Sequence, residues 1–307
     1  MAEGNFNADF MNLIRAISRL KFYGVLIMLI PFNALSQTDT ISTFPKTDTS
    51  NTVSGGSRHS LFTGIGYGSN MIYMGSTISK NQPFGYTAFT YGFKDKFFAT
   101  LSTIHFSGIN PYFSLYSGSL NYNHVFNTWF DISAGVSGYQ FSQTLADTLF
   151  SNFLYSDLTL GIDWRLIYSK VSLGGLISDE SSAYFQVRNS RYFQTPKFIK
   201  DKGFLSFEPF VNLLFGTLLK AEDTAGNIVR KPNSFGRKNS WKPHAVRTSY
   251  TTTFGILEFD FGLPVSLNFD EVTIEAEASY VLPAYDNQEF PGPKGFVFLL
   301  SCYFRIF

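Results

Sequence analysis

The chain has 307 residues, of which 15% are charged and 18% are aromatic, and its formal net charge is +1. Soluble domains carry about a quarter charged residues, and nucleic-acid binding needs a concentrated basic surface, so this balance argues against both classes. A helical membrane protein would show several apolar runs of about twenty residues, whereas here the mean hydropathy is near zero. The lone cysteine, Cys302, allows neither a disulfide framework nor a cysteine-based metal site within one chain, and we predict no metal and no cofactor.

The N-terminal segment has the three parts of a secretory signal peptide. Basic residues precede an apolar core at 25–32, and a small-residue cleavage motif follows at 34–36. We therefore predict a cleaved signal peptide at 1–36, with Met11 as an alternative start and an uncleaved anchor helix as the alternative interpretation. Residues 37–59 are rich in threonine and serine without apolar periodicity, and we expect a flexible periplasmic lead-in.

The segment from residue 60 to residue 307 is expected to form a single all-β domain. Apolar residues alternate with polar or small ones, and the breaks are alternately short and long. This pattern is typical of an up-and-down antiparallel transmembrane barrel with tight periplasmic turns and longer extracellular loops. The predicted strands lie near 61–74, 83–93, 97–106, 112–126, 129–141, 152–165, 169–177, 182–194, 203–217, 248–263, 272–282 and 295–307.

Two alternatives to this twelve-stranded barrel are open. Residues 263–269 either extend the tenth strand or form a turn, so ten strands are an alternative count. A soluble β-sandwich is the alternative fold. Aromatic residues favour the barrel, because those near the predicted strand ends are expected in the two headgroup girdles; they include Trp129, Tyr139, Phe141, Trp164 and Tyr168.

The last predicted strand, 295–307, is apolar and ends on Phe307. It is long enough to cross a bilayer as a tilted strand and too short to cross as a helix, and closure against the first strand would remove an exposed edge. A closing strand with alternate apolar residues, Tyr303 near its end and a final Phe resembles that of bacterial outer-membrane proteins. The fully apolar alternate set begins at Phe296 and excludes Tyr303 and Phe307, so the lipid-facing side is open.

This resemblance implies insertion into the outer membrane of a Gram-negative bacterium by the barrel-assembly machinery, which would act on the C-terminal strand. The tyrosine- and phenylalanine-rich strands are also similar in style to outer-membrane barrels of the Bacteroidota. Outer-membrane lipid is then the expected surrounding medium.

Alternation along the strands also predicts an acidic interior. The predicted lumen-lining residues are Asp131, Asp157, Asp163, Arg188, Glu208, Glu258, Asp260, Glu275 and Glu277. Two interpretations are open. A wet, negatively lined channel favours cations, whereas in a narrow barrel the carboxylates pair with Arg188, Lys170 or loop lysines in a structural network.

The longest break, 218–247, follows the ninth strand and is therefore expected outside the cell. Its basic residues are Lys220, Arg230, Lys231, Arg237, Lys238, Lys242 and Arg247. A basic extracellular loop favours binding of a partner protein or an anionic surface glycan.

One short motif suggests catalysis. His105 and Ser107 end the third predicted strand and share one face, which suits a histidine base and a serine nucleophile. The pair resembles the active-site motif of outer-membrane lipid hydrolases of the phospholipase A and lipid A deacylase types. Those families continue with Asn where this chain has Gly108, and the alternative is a histidine of the aromatic girdle.

Together these features predict a porin-like or small-solute transport barrel with an acidic lumen, and a small cationic solute is the candidate cargo. We predict no enzymatic activity. A non-conducting scaffold that binds through loop 218–247, and a rim lipid hydrolase that uses His105 and Ser107, are the alternatives.

Overall fold

The computed structural model describes residues 59–143, 151–178, 181–198, 203–223, 228–232, 247–285 and 292–307, and for those between 219 and 250 it describes the backbone alone. The predicted signal peptide and the lead-in up to residue 58 lie outside these ranges. Within the described residues, no helix is long and apolar enough to cross a membrane.

Fifteen strand segments form one sheet, which closes on itself because the first strand pairs with the last. Two strands are interrupted and one segment, Ile228–Pro232, lies beside the ring, which leaves twelve antiparallel barrel strands. They are β1 (His59–Gly68), β2 (Phe84–Phe93), β3 (Phe97–Phe106), β4 (Leu115–Asn127), β5 (Phe130–Phe141), β6 (Phe153–Asp163), β7 (Tyr168–Ile177), β8 (Ser182–Ser190, continued by Phe193–Gln194), β9 (Phe204–Phe207 and Phe210–Asp223), β10 (Arg247–Asn268), β11 (Val272–Pro283) and β12 (Gly295–Arg305).

The predicted barrel with twelve strands is confirmed, and the ten-stranded and soluble-sandwich alternatives are wrong. The ambiguous residues 263–268 belong to β10, which runs through Pro264 to Asn268. We call the end that carries the short turns the periplasmic end, following the usual arrangement of such barrels.

Closure of the barrel uses the extreme C-terminus. Pairs run from Phe62 opposite Arg305 to Gly68 opposite Leu299. Beyond the ladder, the backbone N–H of Leu61 donates to the carbonyl oxygen of Phe307 at 3.1 Å. This pairing leaves no unpaired strand edge at the seam. Backbone N–H and C=O groups in the hydrocarbon of a membrane need such partners.

The two faces of the sheet differ in chemistry. Outward side chains are apolar and exposed around the ring, as shown by Ile65, Phe89, Leu101, Leu120, Leu158, Leu173, Phe261, Ile274 and Phe298. In β12 the outward set is the fully apolar one, with Phe296 and Leu300 exposed. Tyr303 instead points inward, where its hydroxyl lies 3.1 Å from that of Tyr86.

Glycines of β1 make room for inward aromatic rings. A Cβ atom on Gly66 would lie 2.2 Å from the ring of Tyr86, and one on Gly68 would lie 2.3 Å from the ring of Phe84. The hydroxyl of Tyr86 lies 2.8 Å from Ser301 Oγ. The rings therefore lie flat over β1, where any larger residue would displace them.

Three aromatic residues expected in the girdles lie inside the barrel instead. Tyr139 and Phe141 are buried, and Tyr139 stacks on Phe153 with ring centroids 4.1 Å apart. Tyr168 turns inward to Asp131. Trp129 and Trp164 are exposed at the periplasmic end. Apolar rings suit either environment, so strand-end position alone does not separate girdle from interior.

Candidate functional site

The connection between β1 and β2 folds into the barrel. The predicted first strand extended to residue 74, but β1 ends at Gly68. Ile72–Tyr73 and Ser76–Thr77 then pair as a small separate sheet. Its turn has positive φ at Met74 (49°) and Gly75 (77°), as a type I′ turn requires. We call residues 69–83 the inner hairpin.

The inner hairpin is held together by its own polar groups. Asn70 Oδ1 accepts hydrogen bonds from Thr77 Oγ1 at 2.7 Å and from Ser79 Oγ at 2.8 Å. The backbone N–H of Met71 donates to Ser79 Oγ at 2.9 Å. The segment is therefore an ordered unit inside the lumen.

The inner hairpin reaches strands on the far side of the ring. Tyr73 is 5% exposed, and its ring centroid lies 5.4 Å from that of Tyr139 on β5 and 5.8 Å from that of Phe153 on β6. A Cβ atom on Gly75, at the tip, would lie 3.2 Å from Leu257 of β10. The hairpin thus forms an apolar layer in the extracellular half of the barrel.

Sequence reasoning missed this layer because it assigned residues 71–74 to the first strand. The available signal was composition. An extracellular connection is normally polar, whereas Met71, Ile72, Tyr73 and Met74 are apolar and consecutive.

A β-bulge next to the tip changes the direction of one side chain. The pairing of β9 with β10 shifts between Leu214 and Phe215. Strict alternation along β10 predicts that Leu257, next to the inward Glu258, faces outward; the structure instead buries Leu257 fully inside the barrel together with Glu258. Bulges redirect side chains in this way.

Glu258 is the most buried of the predicted lumen residues. It is 1% exposed, and its Oε2 atom has no hydrogen-bond partner within the described residues. Asp260 lies two residues further along β10, inside the barrel and opposite Asn212 of β9. Two acidic side chains therefore lie directly below the tip of the inner hairpin.

An amide pair lies next to these carboxylates. Gln186 Nε2 of β8 donates to Asn212 Oδ1 at 2.9 Å. The Nδ2 atom of Asn212 is buried and has no hydrogen-bond partner in the described part of the chain. Arg188 lies opposite Asn212 in the register, with its guanidinium carbon 3.8 Å from the ring centroid of Phe210.

We call the inward carboxylates of β9 to β11 the acidic wall. In its periplasmic part, the carboxylates are only partly hydrogen-bonded. Glu275 Oε2 accepts from Ser266 Oγ at 2.7 Å, whereas the buried Oε1 has no partner among the described residues. Glu208 accepts from Ser190 Oγ at 2.6 Å. Glu277 is buried two residues along β11. Buried carboxylates are costly unless they are paired, so this wall favours positively charged groups.

The three aspartates of β5 and β6 occupy a different part of the ring, with Asp131 and Asp163 near the periplasmic turns and Asp157 near the middle of β6. Tyr168 donates its hydroxyl to both carboxylate oxygens of Asp131, at 2.9 and 2.8 Å. Asp157 accepts from Thr159 Oγ1 at 3.4 Å, and Asp163 accepts from the backbone N–H of Arg165 at 2.7 Å. All nine predicted residues thus lie on the inward side, but these three do not join the β8–β11 group.

Hydroxyl groups line the wall opposite the acidic strands, on β2 to β4. Thr90 and Thr100 are joined by a 2.8 Å hydrogen bond, and Ser102 bonds Ser117. β4 and β10 are six places apart in the ring of twelve, so they face each other. Among the described residues, no group of three or more His, Cys, Asp or Glu side chains could hold a metal ion.

The side chains of His105 and Ser107 are not joined by a hydrogen bond in this structure. His105 faces outward and stacks on Tyr112, with ring centroids 4.2 Å apart. The Nδ1 atom of His105 forms a hydrogen bond with the carbonyl oxygen of Tyr112 at 2.6 Å. Ser107 donates its backbone N–H to Pro83, and the structure records no hydrogen bond between His105 and Ser107. The lipid-hydrolase alternative stays a prediction.

The basic loop contains more β-structure than expected. β9 continues to Asp223, β10 begins at Arg247, and Ile228–Pro232 pairs with the other edge of β9, so a three-stranded ribbon extends the barrel wall. Lys220, Arg230, Lys231 and Arg247 lie on these strands. Arg237, Lys238 and Lys242 lie outside the described residues.

A closed barrel with an apolar exterior and charged groups inside is the architecture of a transmembrane β-barrel. The chain is a transmembrane β-barrel protein.

No protein-family model and no curated protein matches the chain. Among solved structures, the KdgM porin is 9% identical with a TM-score of 0.45, covering 79% of this chain and 98% of that one. LpxR from Salmonella typhimurium is 6% identical with a TM-score of 0.44, covering 79% and 99%. The NanC porin is 8% identical with a TM-score of 0.43, covering 80% and 98%. These similarities concern architecture alone.

Proposed function

We propose that this protein is a gated, porin-like passage for small cationic solutes, closed on the extracellular side by the inner hairpin. The position of Glu258 carries the proposal. It follows Leu257, which contacts the hairpin tip, and it is buried with an oxygen that has no hydrogen-bond partner within the described residues. A cationic group admitted below the hairpin would supply the missing partner.

Apolar contacts of the inner hairpin support a closed resting state. Met71 and Ile78 are fully buried and Tyr73 nearly so. Burying each such side chain stabilises the closed form by about 1.5–3 kcal/mol. Spontaneous opening is then rare, and the wild-type barrel has a low basal permeability.

Uptake of two amino acids of similar size and opposite charge tests the proposal. Refolded protein, residues 37–307, is placed in liposomes with labelled arginine or glutamate. A variant in which residues 71–79 are replaced by Gly-Ser-Gly-Ser is expected to admit arginine several times faster than wild type does, and faster than it admits glutamate. Equal or faster entry of glutamate in that variant contradicts the proposal.

The extracellular ribbon supports a second candidate function. Its edge strand, Ile228–Pro232, carries two basic residues, and a basic edge beyond the barrel suits an anionic glycan. Replacing residues 224–246 by a short turn should then abolish retention on heparin and leave arginine uptake unchanged. Retention by the shortened variant argues against this function.

Export and assembly complete the proposal. We infer that residues 1–36 are cleaved on export and that β12 is the segment presented to the assembly machinery. Detection of a mature N-terminus at Gln37 in outer-membrane fractions tests the first point, and an intact N-terminus there contradicts it. The Bacteroidota origin stays a prediction.

A further inference from the structure

A groove crosses the outward surface of β2 to β5. Its volume is about 570 Å³, within the roughly 300–1,000 Å³ range of small-molecule sites. Its outward lining residues are Tyr91, Phe93, Phe97, Ala99, Leu120, Tyr122, Ala134 and Val136.

The groove arises where small residues interrupt rows of large ones. One cross-strand row joins Tyr91, Ala99 and Leu120. The next row, closer to the periplasmic end, joins Phe97, Tyr122 and Ala134. Because the alanines fall on different strands, the depression runs obliquely across the sheet, and its walls are apolar and aromatic.

A basic turn borders the periplasmic end of the groove. Lys94 and Asp95 have φ of 55° and 53°, and the N–H of Lys96 donates to the carbonyl oxygen of Phe93 at 3.2 Å, which makes a rigid type I′ turn. Lys94 Nζ lies 5.2 Å from the ring centroid of Phe93, which lines the groove. Both lysines are exposed. Because Asp95 offsets one of the two lysines, the net charge of the turn is +1.

We propose that this site binds one anionic glycerophospholipid of the periplasmic leaflet, with its phosphate at Lys94 and Lys96 and an acyl chain in the groove. The positive charge of Lys94 and Lys96 complements the negative phosphate and therefore favours this occupant. A second copy docked symmetrically on the same face would bring the two basic turns together, which repels. By contrast, the turn between β10 and β11 carries Asp270 and Glu271 and does not complement an anionic phosphate.

Native mass spectrometry of the refolded barrel in detergent tests the proposal, with phosphatidylglycerol and phosphatidylethanolamine supplied in equal amounts. We expect wild type to retain one phosphatidylglycerol with about fivefold preference. The double variant K94Q/K96Q should retain both lipids equally, and Ala99→Phe, which fills the groove, should retain neither.

Matched controls are Arg165→Gln at another periplasmic turn and Ala278→Phe on the lipid-facing side of β11, and both should behave as wild type. Heat-modifiable migration on gels shows that each variant is folded. Equal retention of the two lipids by wild type overturns the proposal, as does a preference that survives in K94Q/K96Q or lipid retention that survives in Ala99→Phe.

Discussion

The hydroxyl of Tyr285 donates a hydrogen bond to the carbonyl oxygen of Gly75. Tyr285 follows β11 at the extracellular end, whereas Gly75 is the tip of the inner hairpin that follows β1. The bond therefore fastens the hairpin tip to the barrel rim, beside the contact between Gly75 and Leu257.

Removing this hydrogen bond should favour the open barrel. A hydrogen bond contributes about 1 kcal/mol, which is roughly fivefold in the ratio of closed to open forms. Tyr285→Phe should raise the open probability in planar bilayers by about that factor. Tyr280→Phe, on the lipid-facing side of β11, is the matched control. An unchanged open probability in Tyr285→Phe argues against the fastening role.

Neutralising Glu258 should weaken cation selectivity. A unit charge at about 4 Å is worth about 1 kcal/mol even in bulk water, or roughly fivefold in a cation-to-anion permeability ratio. In the hairpin-shortened protein, Glu258→Gln should lower this ratio, read from the reversal potential in a potassium chloride gradient. Glu271→Gln, in the exposed turn before β11, should leave it unchanged. If the hairpin-shortened protein and its Glu258→Gln and Glu271→Gln variants have identical reversal potentials, Glu258 does not determine the cation selectivity.

Filling the space under Tyr86 should destabilise the barrel. Gly66→Val places atoms where the Tyr86 ring lies, and that ring is held by Ser301 and Tyr303. Overpacking typically costs about 1–3 kcal/mol. Gly66→Val should unfold at lower urea concentration than wild type. Gly85→Val is the control, because a Cβ atom there has no neighbour closer than 3.7 Å; equal losses in both variants would point to strand propensity instead.

Ser107 is expected to be dispensable for any lipid-hydrolysing activity of purified preparations. His105 is engaged with the carbonyl oxygen of Tyr112 and faces away from the lumen. Fatty-acid release from phospholipid and lipid A should therefore be the same for wild type and Ser107→Ala. A loss of about a hundredfold or more in Ser107→Ala, the scale of an assisting base, would restore the hydrolase hypothesis.

Strand positions were predictable because each barrel strand must alternate between lipid and interior. The second and third strands, expected at 83–93 and 97–106, lie at Phe84–Phe93 and Phe97–Phe106. The same alternation placed Glu275 and Glu277 on the inner face.

Features that depend on distant contacts were not predictable. The inner hairpin is stabilised by Tyr139, Phe153 and Leu257, which come from three other strands. The inward direction of Leu257 depends on a bulge, which shifts the alternation without a local sequence signal. Position near a strand end would suit Tyr139 to a girdle, but it lies on the same inward face of β5 as Asp131 and packs there on Tyr73 and Phe153.

Single-channel conductance distinguishes a gated passage from a permanently closed barrel. Refolded wild-type protein and the variant with residues 71–79 replaced are compared in planar bilayers under the same salt gradient. The gated-passage account predicts rare, brief openings for wild type, and stable ohmic steps with a cation-selective reversal potential for the variant. A folded variant that remains silent would contradict the account and favour a barrel whose charged interior is purely structural.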